Sequence, residues 1–362
     1  MTLESAEAYL VDHHVENQDI ARDLPDDKWH AAMSRFSDIH YEQTAIHAAN
    51  KRSERTSNIV VRKGGVLLGG ARVGLLTVPI INRGLALVRF GPFWRRSGTR
   101  SDEASYRTVV QALIDEYCTR RKLYLIVRPR PHLEFYPVEA RLLEELGFRG
   151  SQSSVLDHYF VNVALSADEQ KKSLDKRWRY NLKLGDANDL NITISDDEAD
   201  FRTFQKIYAE MVERKRLNYP GVDLPQAIPD LVRLPSQMKM RVALAHHDGE
   251  AVAGAVFSIV GDLAYYVFGA TNDKATELQA GYILQWRLVE WLRDNGGITW
   301  CDLGGTGDRG IQQFKKGLAG KRGALLTAQE FHYSPSPTAT AIVKGMFAVR
   351  NARNKIQSWQ RA

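Results

Sequence analysis

The chain has 362 residues and a mass of 40.9 kDa, a length that predicts two domains or one large one. Its 44% apolar and 25% charged residues are typical of a folded globular protein and exclude collagen, a coiled coil and intrinsic disorder as the main class. The only two cysteines, Cys118 and Cys301, are too few and too far apart for a disulfide framework or a zinc site, and we predict no metal.

The beginning of the chain is acidic, with eight acidic and two basic residues in residues 1–30, and it lacks the apolar segment of a secretory signal. The longest apolar stretch, Ala251–Ala270, is interrupted by Asp262 and three glycines, so it predicts two strands around a turn rather than a spanning helix. We therefore expect a cytoplasmic protein without a transmembrane segment. Contact with the surface of a membrane stays open.

In the first half of the chain, hydrophobic periodicity predicts a helix, three strands, a second helix, a strand and a third helix. These elements are Asp26–Asn50, then Asn58–Val61, Val66–Thr77 and Ala86–Phe90, then Ser105–Arg121, Leu123–Val127 and Val138–Leu146. Gly147 follows the last helix as its expected C-cap.

The second half of the chain repeats this order. The predicted elements are helices over Ala167–Leu184 and Ala199–Asn218, strands over Arg241–Ala245, Ala251–Val260 and Leu263–Gly269, an amphipathic helix over Gly281–Asp294, strands over Ile298–Leu303 and Leu325–Tyr333, and a final basic helix. Both halves thus run helix, antiparallel strands, helix, strand. This order predicts an α/β (α+β) fold made of two tandem copies of one domain, with mostly antiparallel mixed sheets flanked by helices.

Positive charge is concentrated late in the chain, which has a net charge of +6 and a pI near 9.1. Lys171–Lys183 contains six bases against one acid, whereas Arg309–Arg322 and Phe331–Ala362 each contain five bases and no acid. Such clusters attract phosphates, nucleic acid or acidic membranes, although a single cluster is more often a solvated helix face.

Several common catalytic motifs are absent from the sequence. It contains no GxxxxGK[ST] phosphate loop, no HExxH and no GxSxG. The adjacent pairs His13–His14 and His246–His247 do not form a metal site by themselves, because neighbouring side chains diverge on a helix or a strand.

The most informative stretch is Tyr265–Lys316. It contains Gly-Ala after an aromatic strand, Gly-Tyr-Ile-Leu-Gln-Trp at the start of a helix, then Asp-Leu-Gly-Gly and Phe-Lys-Lys-Gly. Upstream, Lys176–Asn181 has the form Lys-x-x-Arg-Tyr, and Gly147-Phe148 precedes it. This ordered set resembles the FemABX family of aminoacyl-tRNA-dependent peptidyltransferases, and the related acyltransferases of the wider GNAT fold, over about residues 90–330.

The resemblance implies two GNAT-like domains. The first covers residues 1–160 and is rejoined by the late strand and helix, residues 325–362. The second covers residues 161–324 and carries the active site. The resemblance also implies that an amine attacks an activated acyl group, normally the ester of an aminoacyl-tRNA, so that the enzyme has to position the amine, relay a proton and stabilise an oxyanion.

Two catalytic residues follow from the resemblance. Lys315, in Phe-Lys-Lys-Gly, matches the family lysine that neutralises the developing oxyanion or the tRNA 3′ end, with Lys316 as the local alternative. Asp302 can orient an amine or a hydroxyl, or it can simply form a turn by bonding the next amides. The substrate is expected to approach the backbone at Gly304 and Gly305, beside Phe314 of the matched motif. The group that acts as general base is left open.

The expected substrate-binding residues come from three further segments. Arg214 and Tyr219 match family residues that contact the phosphates and the body of a UDP-sugar-peptide acceptor, although Lys215 and Arg216 compete with Arg214 for this role. Tyr266 lines the acceptor groove or packs as a sheet-face tyrosine. The remaining candidates are the phosphate-binding residues Lys176, Arg177 and Arg179.

The donor and the acceptor stay open as alternatives. A GNAT enzyme that uses acyl-CoA usually has a glycine-rich loop before its helix, whereas Leu278–Tyr282 contains one glycine, which favours an aminoacyl-tRNA donor. The preferred reading is an aminoacyltransferase that acts on a peptidoglycan precursor, either a UDP-sugar-peptide or a lipid-linked one, without a cofactor. The alternatives are an N-acyltransferase that uses acyl-CoA or carrier-bound acyl groups on a small molecule, polysaccharide or lipid, and a noncatalytic nucleic-acid-binding protein. The oligomeric state is not predicted.

Overall fold

The computed structural model describes residues 18–49, 54–79, 81–216, 234–235, 238–305 and 307–359. By its internal contacts the chain forms two compact units, Met1–Val155 with Gln329–Ala362, and Leu156–Ala328. The predicted limits at residues 160/161 and 324/325 stay predictions, because compactness alone does not show that either unit folds by itself.

The described residues contain the following strands and helices. The strands are β1 (Gln18–Arg22), β2 (Arg55–Lys63), β3 (Val66–Val78), β4 (Arg83–Arg89), β5 (Tyr124–Arg128), β6 (Arg149–Asn162), β7 (Asn191–Ser195), β8 (Met240–His247), β9 (Glu250–Val260), β10 (Leu263–Thr271), β11 (Trp300–Asp302) and β12 (Ala324–Tyr333). The α-helices are α1 (Asp26–Met33), α2 (Ala45–Ala49), α3 (Glu103–Leu113), α4 (Tyr136–Glu145), α5 (Ala167–Ser173), α6 (Lys176–Asp186), α7 (Glu198–Arg214), α8 (Lys274–Glu277), α9 (Ala280–Asn295), α10 (Arg309–Ala319) and α11 (Pro337–Trp359).

The two units have the same strand arrangement. In the first unit the order is β1-β2-β3-β4-β5-β12, and in the second it is β7-β8-β9-β10-β11-β6. In each sheet the fourth and fifth strands are parallel and the other neighbours are antiparallel. A crossover with a helix joins each parallel pair, through α3 or through α9, as parallel strands require. The predicted α/β fold with mostly antiparallel mixed sheets is confirmed.

Helices cover the sheet of each unit. In the first unit Val343 of α11 packs with Leu85, Leu87 and Ile126 of β4 and β5. In the second unit α6 and α9 enclose a core in which Trp178 and Leu284 are buried. None of the helices within the described ranges has the length and apolar character that crossing a membrane requires.

The predicted helix over Asp26–Asn50 is wrong, because α1 ends at Met33. The following segment is tied to another part of the first unit instead: the Asp38 carboxylate accepts hydrogen bonds from the backbone N–H groups of Trp94 at 2.8 Å and Arg95 at 2.9 Å. A tertiary contact of this kind competes with the local helix and ends it.

The predicted single helix over Ala167–Leu184 is also wrong, because two helices, α5 and α6, meet there. Asp175 lies between them and caps α6, since its carboxylate accepts a hydrogen bond from the backbone N–H of Trp178 at 2.6 Å. The prediction also missed the strands β1, β6 and β7 and the helix α10.

Candidate active site

The candidate site lies at the end of the short strand β11. Only three residue pairs join β10 and β11, Leu263–Tyr265 with Trp300–Asp302, and β10 then continues to Thr271 alongside β9. The chain turns at Gly304, whose φ of 69° favours glycine. The turn therefore lies where the parallel pair ends, in the second unit.

Asp302 is buried at this turn and both of its carboxylate oxygens have hydrogen-bond donors. Its Oδ1 accepts a hydrogen bond from the backbone N–H of Gly304 at 2.7 Å, and its Oδ2 lies 2.8 Å from Nδ1 of His158 on β6. The bond to Gly304 is the turn geometry that the sequence suggested for this aspartate. The bond to His158 adds a second titratable group.

The side chain of Lys315 reaches the same turn, formed by Asp302 and Gly304. It lies on α10, which begins at the Asp308 cap, and its side chain is buried, whereas Lys316 is exposed. Its Nζ donates a hydrogen bond to the carbonyl of Gly304 at 3.2 Å. Burial lowers the pKa of Lys315 to about 8, and the charge of Asp302 acts against that decrease. The ammonium is therefore a desolvated cation beside a polar turn.

Gly305 has no room for a side chain. A Cβ atom at this position would lie 2.3 Å from the backbone oxygen of Asp157 on β6. Close approach of two backbones explains this glycine, so Gly304 and Gly305 are needed for different reasons, φ in one case and space in the other.

Phe314 packs within the second unit. Its ring contacts Trp178 at 5.3 Å and Tyr282 at 5.0 Å between centroids, and its carbonyl accepts a hydrogen bond from Trp178 Nε1 at 3.0 Å. These contacts join α10 to α6 and α9. Phe314 thus holds the helix that presents Lys315, which is a packing role that the motif alone did not reveal.

The three basic residues at the start of α6 differ in their surroundings. Lys176 and Arg177 are exposed, whereas Arg179 is half-buried and donates to the backbone carbonyl of Leu174. The structure therefore presents two of the three cations to solvent on a helix whose N-terminus adjoins α10 at Gly317.

Tyr266 follows directly after the last residue of β10 that pairs with β11. It is half-buried, and its hydroxyl occupies the space that a side chain at Gly269 would need. Burial raises the pKa of the Tyr266 phenol above its ordinary value. Its packing against the core of the second unit agrees with the sheet-face alternative.

Among the contacts of the described residues, none brings Arg214 to the Lys315 turn. It ends α7 and donates to the carbonyl of Thr271 at 2.7 Å, and it forms an ion pair with Asp273 at 2.8 Å. Its planar fork thus joins α7 to the segment after β10. Tyr219 lies outside the described residues.

The structure brings together Asp302, Gly304 and Lys315, and adds His158, which the sequence analysis missed. His158 lies outside every element predicted from the sequence, and its partner Asp302 is 144 residues away, so no local pattern pointed to it. Within the described ranges no group of three His, Cys, Asp or Glu side chains is placed to hold a metal ion.

Known proteins resemble this chain in sequence. Residues 169–316, which include Asp302 and Lys315, match the acetyltransferase (GNAT) domain family. The lipid II:glycine glycyltransferases of two Staphylococcus epidermidis strains are 24% identical to the chain over 179 residues. This alignment covers 49% of the chain and 41% of each relative, so less than half of the relatives' length is matched.

Solved structures resemble a larger part of the chain. The crystal structure of FemX has a TM-score of 0.68 at 17% identity and covers 86% of this chain and 96% of its own. L-PGS from Bacillus licheniformis has a TM-score of 0.57 at 12% identity, with 92% of this chain and 98% of its own covered. At these identities the likeness concerns the fold. The chain is therefore similar in sequence to the lipid II:glycine glycyltransferases over about half of its length, has the fold of FemX, and resembles the acetyltransferase (GNAT) domain over residues 169–316.

Proposed function

We propose that this protein transfers an aminoacyl group from an aminoacyl-tRNA to an amine of a peptidoglycan precursor. The observation that carries the proposal is the buried ammonium of Lys315 at the Asp302–Gly304 turn, inside the segment that matches the GNAT domain. The homology to enzymes named for glycyl transfer to lipid II supports a cell-wall acceptor.

In this reaction the acceptor amine attacks the ester carbonyl of the donor. The carbon–nitrogen bond forms as the carbonyl oxygen gains negative charge, and the carbon–oxygen bond to the tRNA 3′ end then breaks. The amine loses one proton and the departing hydroxyl gains one. A fixed cation in a site with little water stabilises the oxyanion more than the same cation in solution does. Lys315 supplies that cation at pH values below its pKa of about 8.

Before substrate binds, a hydrogen bond to Gly304 holds the ammonium of Lys315 in place. The Gly304 carbonyl accepts from Nζ at 3.2 Å, and Asp302 holds the amide of the same glycine. An oxyanion that develops near Nζ either replaces the Gly304 carbonyl as the acceptor or shares the ammonium with it. Lys315 then donates to a charged acceptor instead of only to a neutral one. Charge-assisted bonds are stronger, so the interaction improves as the transition state is approached.

The donor in this proposal is an aminoacyl-tRNA rather than acyl-CoA. The segment before α9 has Gln279 in the left-handed conformation, with φ of 53° and no side-chain cap, and Gly281 as the only glycine of the first turn. A glycine-rich cradle for the pyrophosphate of CoA is absent there. The exposed cations of Lys171–Lys183 suit the phosphates of tRNA. No cofactor is needed beyond this co-substrate, and tRNA charging places the reaction in the cytoplasm.

The acceptor in this proposal is either a lipid-linked or a UDP-linked muropeptide. The name of the homologue favours the lipid-linked form. Because both forms carry a diphosphate and a peptide amine, the same site chemistry serves either.

A second candidate is N-acyl transfer from acyl-CoA to a small molecule, polysaccharide or lipid. The match of residues 169–316 to a domain described as an acetyltransferase favours it, because that description denotes transfer of an acetyl group.

One experiment separates the two candidates. The purified protein is incubated with an acceptor, either UDP-linked or lipid-linked muropeptide. Each acceptor is tested with two donors, a mixture of charged tRNAs and acetyl-CoA. The mass of the acceptor is then measured by mass spectrometry. A mass increase of one amino acid, present only with charged tRNA and abolished by ribonuclease, supports the proposal. An acetyl increase with acetyl-CoA supports the second candidate, and no increase on either acceptor contradicts the cell-wall proposal.

The Lys315→Ala variant tests the role of this side chain. Loss of one donor to an oxyanion should lower turnover by roughly 10²–10³-fold while the fold survives. Lys316→Ala is the matched control, because it removes the neighbouring exposed charge. Equal turnover of the two variants would show that Lys315 is not the stabilising group.

A further inference from the structure

His158 is attached to the candidate site through a carboxylate. Its Nδ1 lies 2.8 Å from Oδ2 of Asp302, and the two residues are 6% and 3% exposed. A neutral imidazole makes this contact by donating its Nδ1 proton to the carboxylate. Since Oδ1 accepts from Gly304, the carboxylate of Asp302 is held from two directions, by β6 and by its own turn.

Three hydrogen bonds connect His158 with Lys315. They run from His158 to Asp302, from the Gly304 amide to Asp302, and from Lys315 to the Gly304 carbonyl. The orientation of Asp302 therefore affects the turn that accepts from Lys315. In a buried site, where charges are poorly screened, it also sets the electrostatic environment of the ammonium.

We propose that His158 is a positioning residue, which anchors the Asp302 carboxylate so that its charge and the Gly304 turn stay beside Lys315. The catalytic consequence rests on the proposed function, whereas the positioning itself does not. Without the hydrogen bond from His158, the Asp302 carboxylate either turns away from Lys315 or stays buried with one donor fewer, which disfavours its charged form. Both remove a stabilising charge from Lys315.

Three other acidic side chains around α10 accept hydrogen bonds from residues other than Lys315. Asp308 caps the helix by accepting from the Ile311 amide, and Asp175 caps α6 next to Gly317. Asp157, the neighbour of His158 on β6, accepts from Thr327. Lys316 is exposed. Asp302 is the charge that opposes the effect of burial on Lys315.

The test compares three substitutions at His158 by their effect on the ionisation of Lys315. His158→Asn keeps an N–H donor close to the position of Nδ1. His158→Gln retains an amide but places it farther along the side chain, and His158→Leu has no donor. Lysine labelled with ¹³C at Cε is incorporated, and the Lys315 signal is assigned by its loss in Lys315→Arg. The pH titration of that signal needs no substrate.

The wild-type midpoint should lie near pH 8. His158→Leu and His158→Gln should lower it by about one pH unit, the lower end of the effect of a nearby opposite charge. His158→Asn should stay close to the wild type. Wild-type titration of both His158→Leu and His158→Gln would overturn the proposal, and so would an equally large decrease in His158→Asn.

Each outcome is separable from that of the transfer assay. If His158→Leu does not fold, as judged by its thermal unfolding, the pair His158→Gln and His158→Asn still decides the question. A protein that shows the expected titrations but transfers no aminoacyl group retains the positioning role and loses the proposed function. In an active protein, the decline of kcat at high pH should move down together with the NMR midpoint.

Discussion

Replacing Lys315 by methionine should make the protein more stable while lowering the turnover of its proposed reaction by roughly 10²–10³-fold. Methionine is apolar and similar in length, so it fills the same buried space without an ammonium. The pKa of Lys315 falls from 10.5 to about 8 because burial disfavours the charge. The ionised form of Lys315 therefore lowers the free energy of unfolding. Residues that are retained for function often destabilise a protein in this way.

The size of the effect follows from the two pKa values. Each pH unit between them corresponds to 1.36 kcal/mol, so the ammonium costs the folded protein about 3 kcal/mol at pH 7. That figure already includes the attraction to Asp302. Loss of the hydrogen bond to Gly304 offsets about 1 kcal/mol. We expect Lys315→Met to raise the free energy of unfolding by about 2 kcal/mol at pH 7.

The two pKa values also determine how the stability gained by Lys315→Met changes with pH. The folded pKa is below the unfolded one, so the cost is complete below pH 8 and disappears as the pH rises to 10.5. At pH 9.5 it has decreased to about 1.4 kcal/mol, and the lost hydrogen bond nearly cancels it. The advantage of Lys315→Met should therefore nearly vanish at pH 9.5.

Urea unfolding at pH 7.0 and pH 9.5 measures both values, with Lys316→Met as the control for loss of an exposed charge. The control should be close to neutral at both pH values. A Lys315→Met protein that is less stable than the wild type at pH 7, or whose advantage is unchanged at pH 9.5, would refute the reasoning.

Three further predictions concern the turn, the donor and α7. Gly305→Ala should destabilise the second unit by about 1–3 kcal/mol, because its Cβ has no room; Gly281→Ala, where space is open, should be neutral or slightly stabilising in the same unfolding measurement. Binding of charged tRNA, measured by filter binding, should weaken with salt with a log–log slope of about −0.7 to −0.9 for each phosphate contacted by Lys171–Lys183; a flat response would exclude tRNA as the donor. Arg214→Lys should weaken the link that the planar fork makes from α7 to Thr271 and Asp273, and should lower the free energy of unfolding by about 1 kcal/mol; unchanged stability would show that a point charge serves there as well as the fork.

The sequence was informative wherever the signal is local. Apolar periodicity located β3, β9 and α9, since the period of 2 or 3.6 residues is contained in one segment. The motif Phe-Lys-Lys-Gly, together with Asp-Leu-Gly-Gly, selected two residues that the structure brings to one turn, Asp302 and Lys315.

Helix ends and short strands were less predictable. The segment after α1 has helical periodicity, but Asp38 bonds two backbone amides near Trp94, and this contact is invisible in the local sequence. The strand β7 is short and half-buried, so its pattern is weak without β8 beside it.

The sequence by itself determined the tandem α/β order and narrowed the predicted cation to a pair of neighbouring lysines, Lys315 and Lys316. Only the tertiary structure decided between the lysines, turning Lys315 inward and Lys316 to solvent. It also brought His158 to Asp302 across 144 residues of chain. Local patterns depend on neighbours within a turn or two of the backbone. The charge state of a buried lysine depends instead on which strand lies beside which, and that is fixed only when the sheet forms.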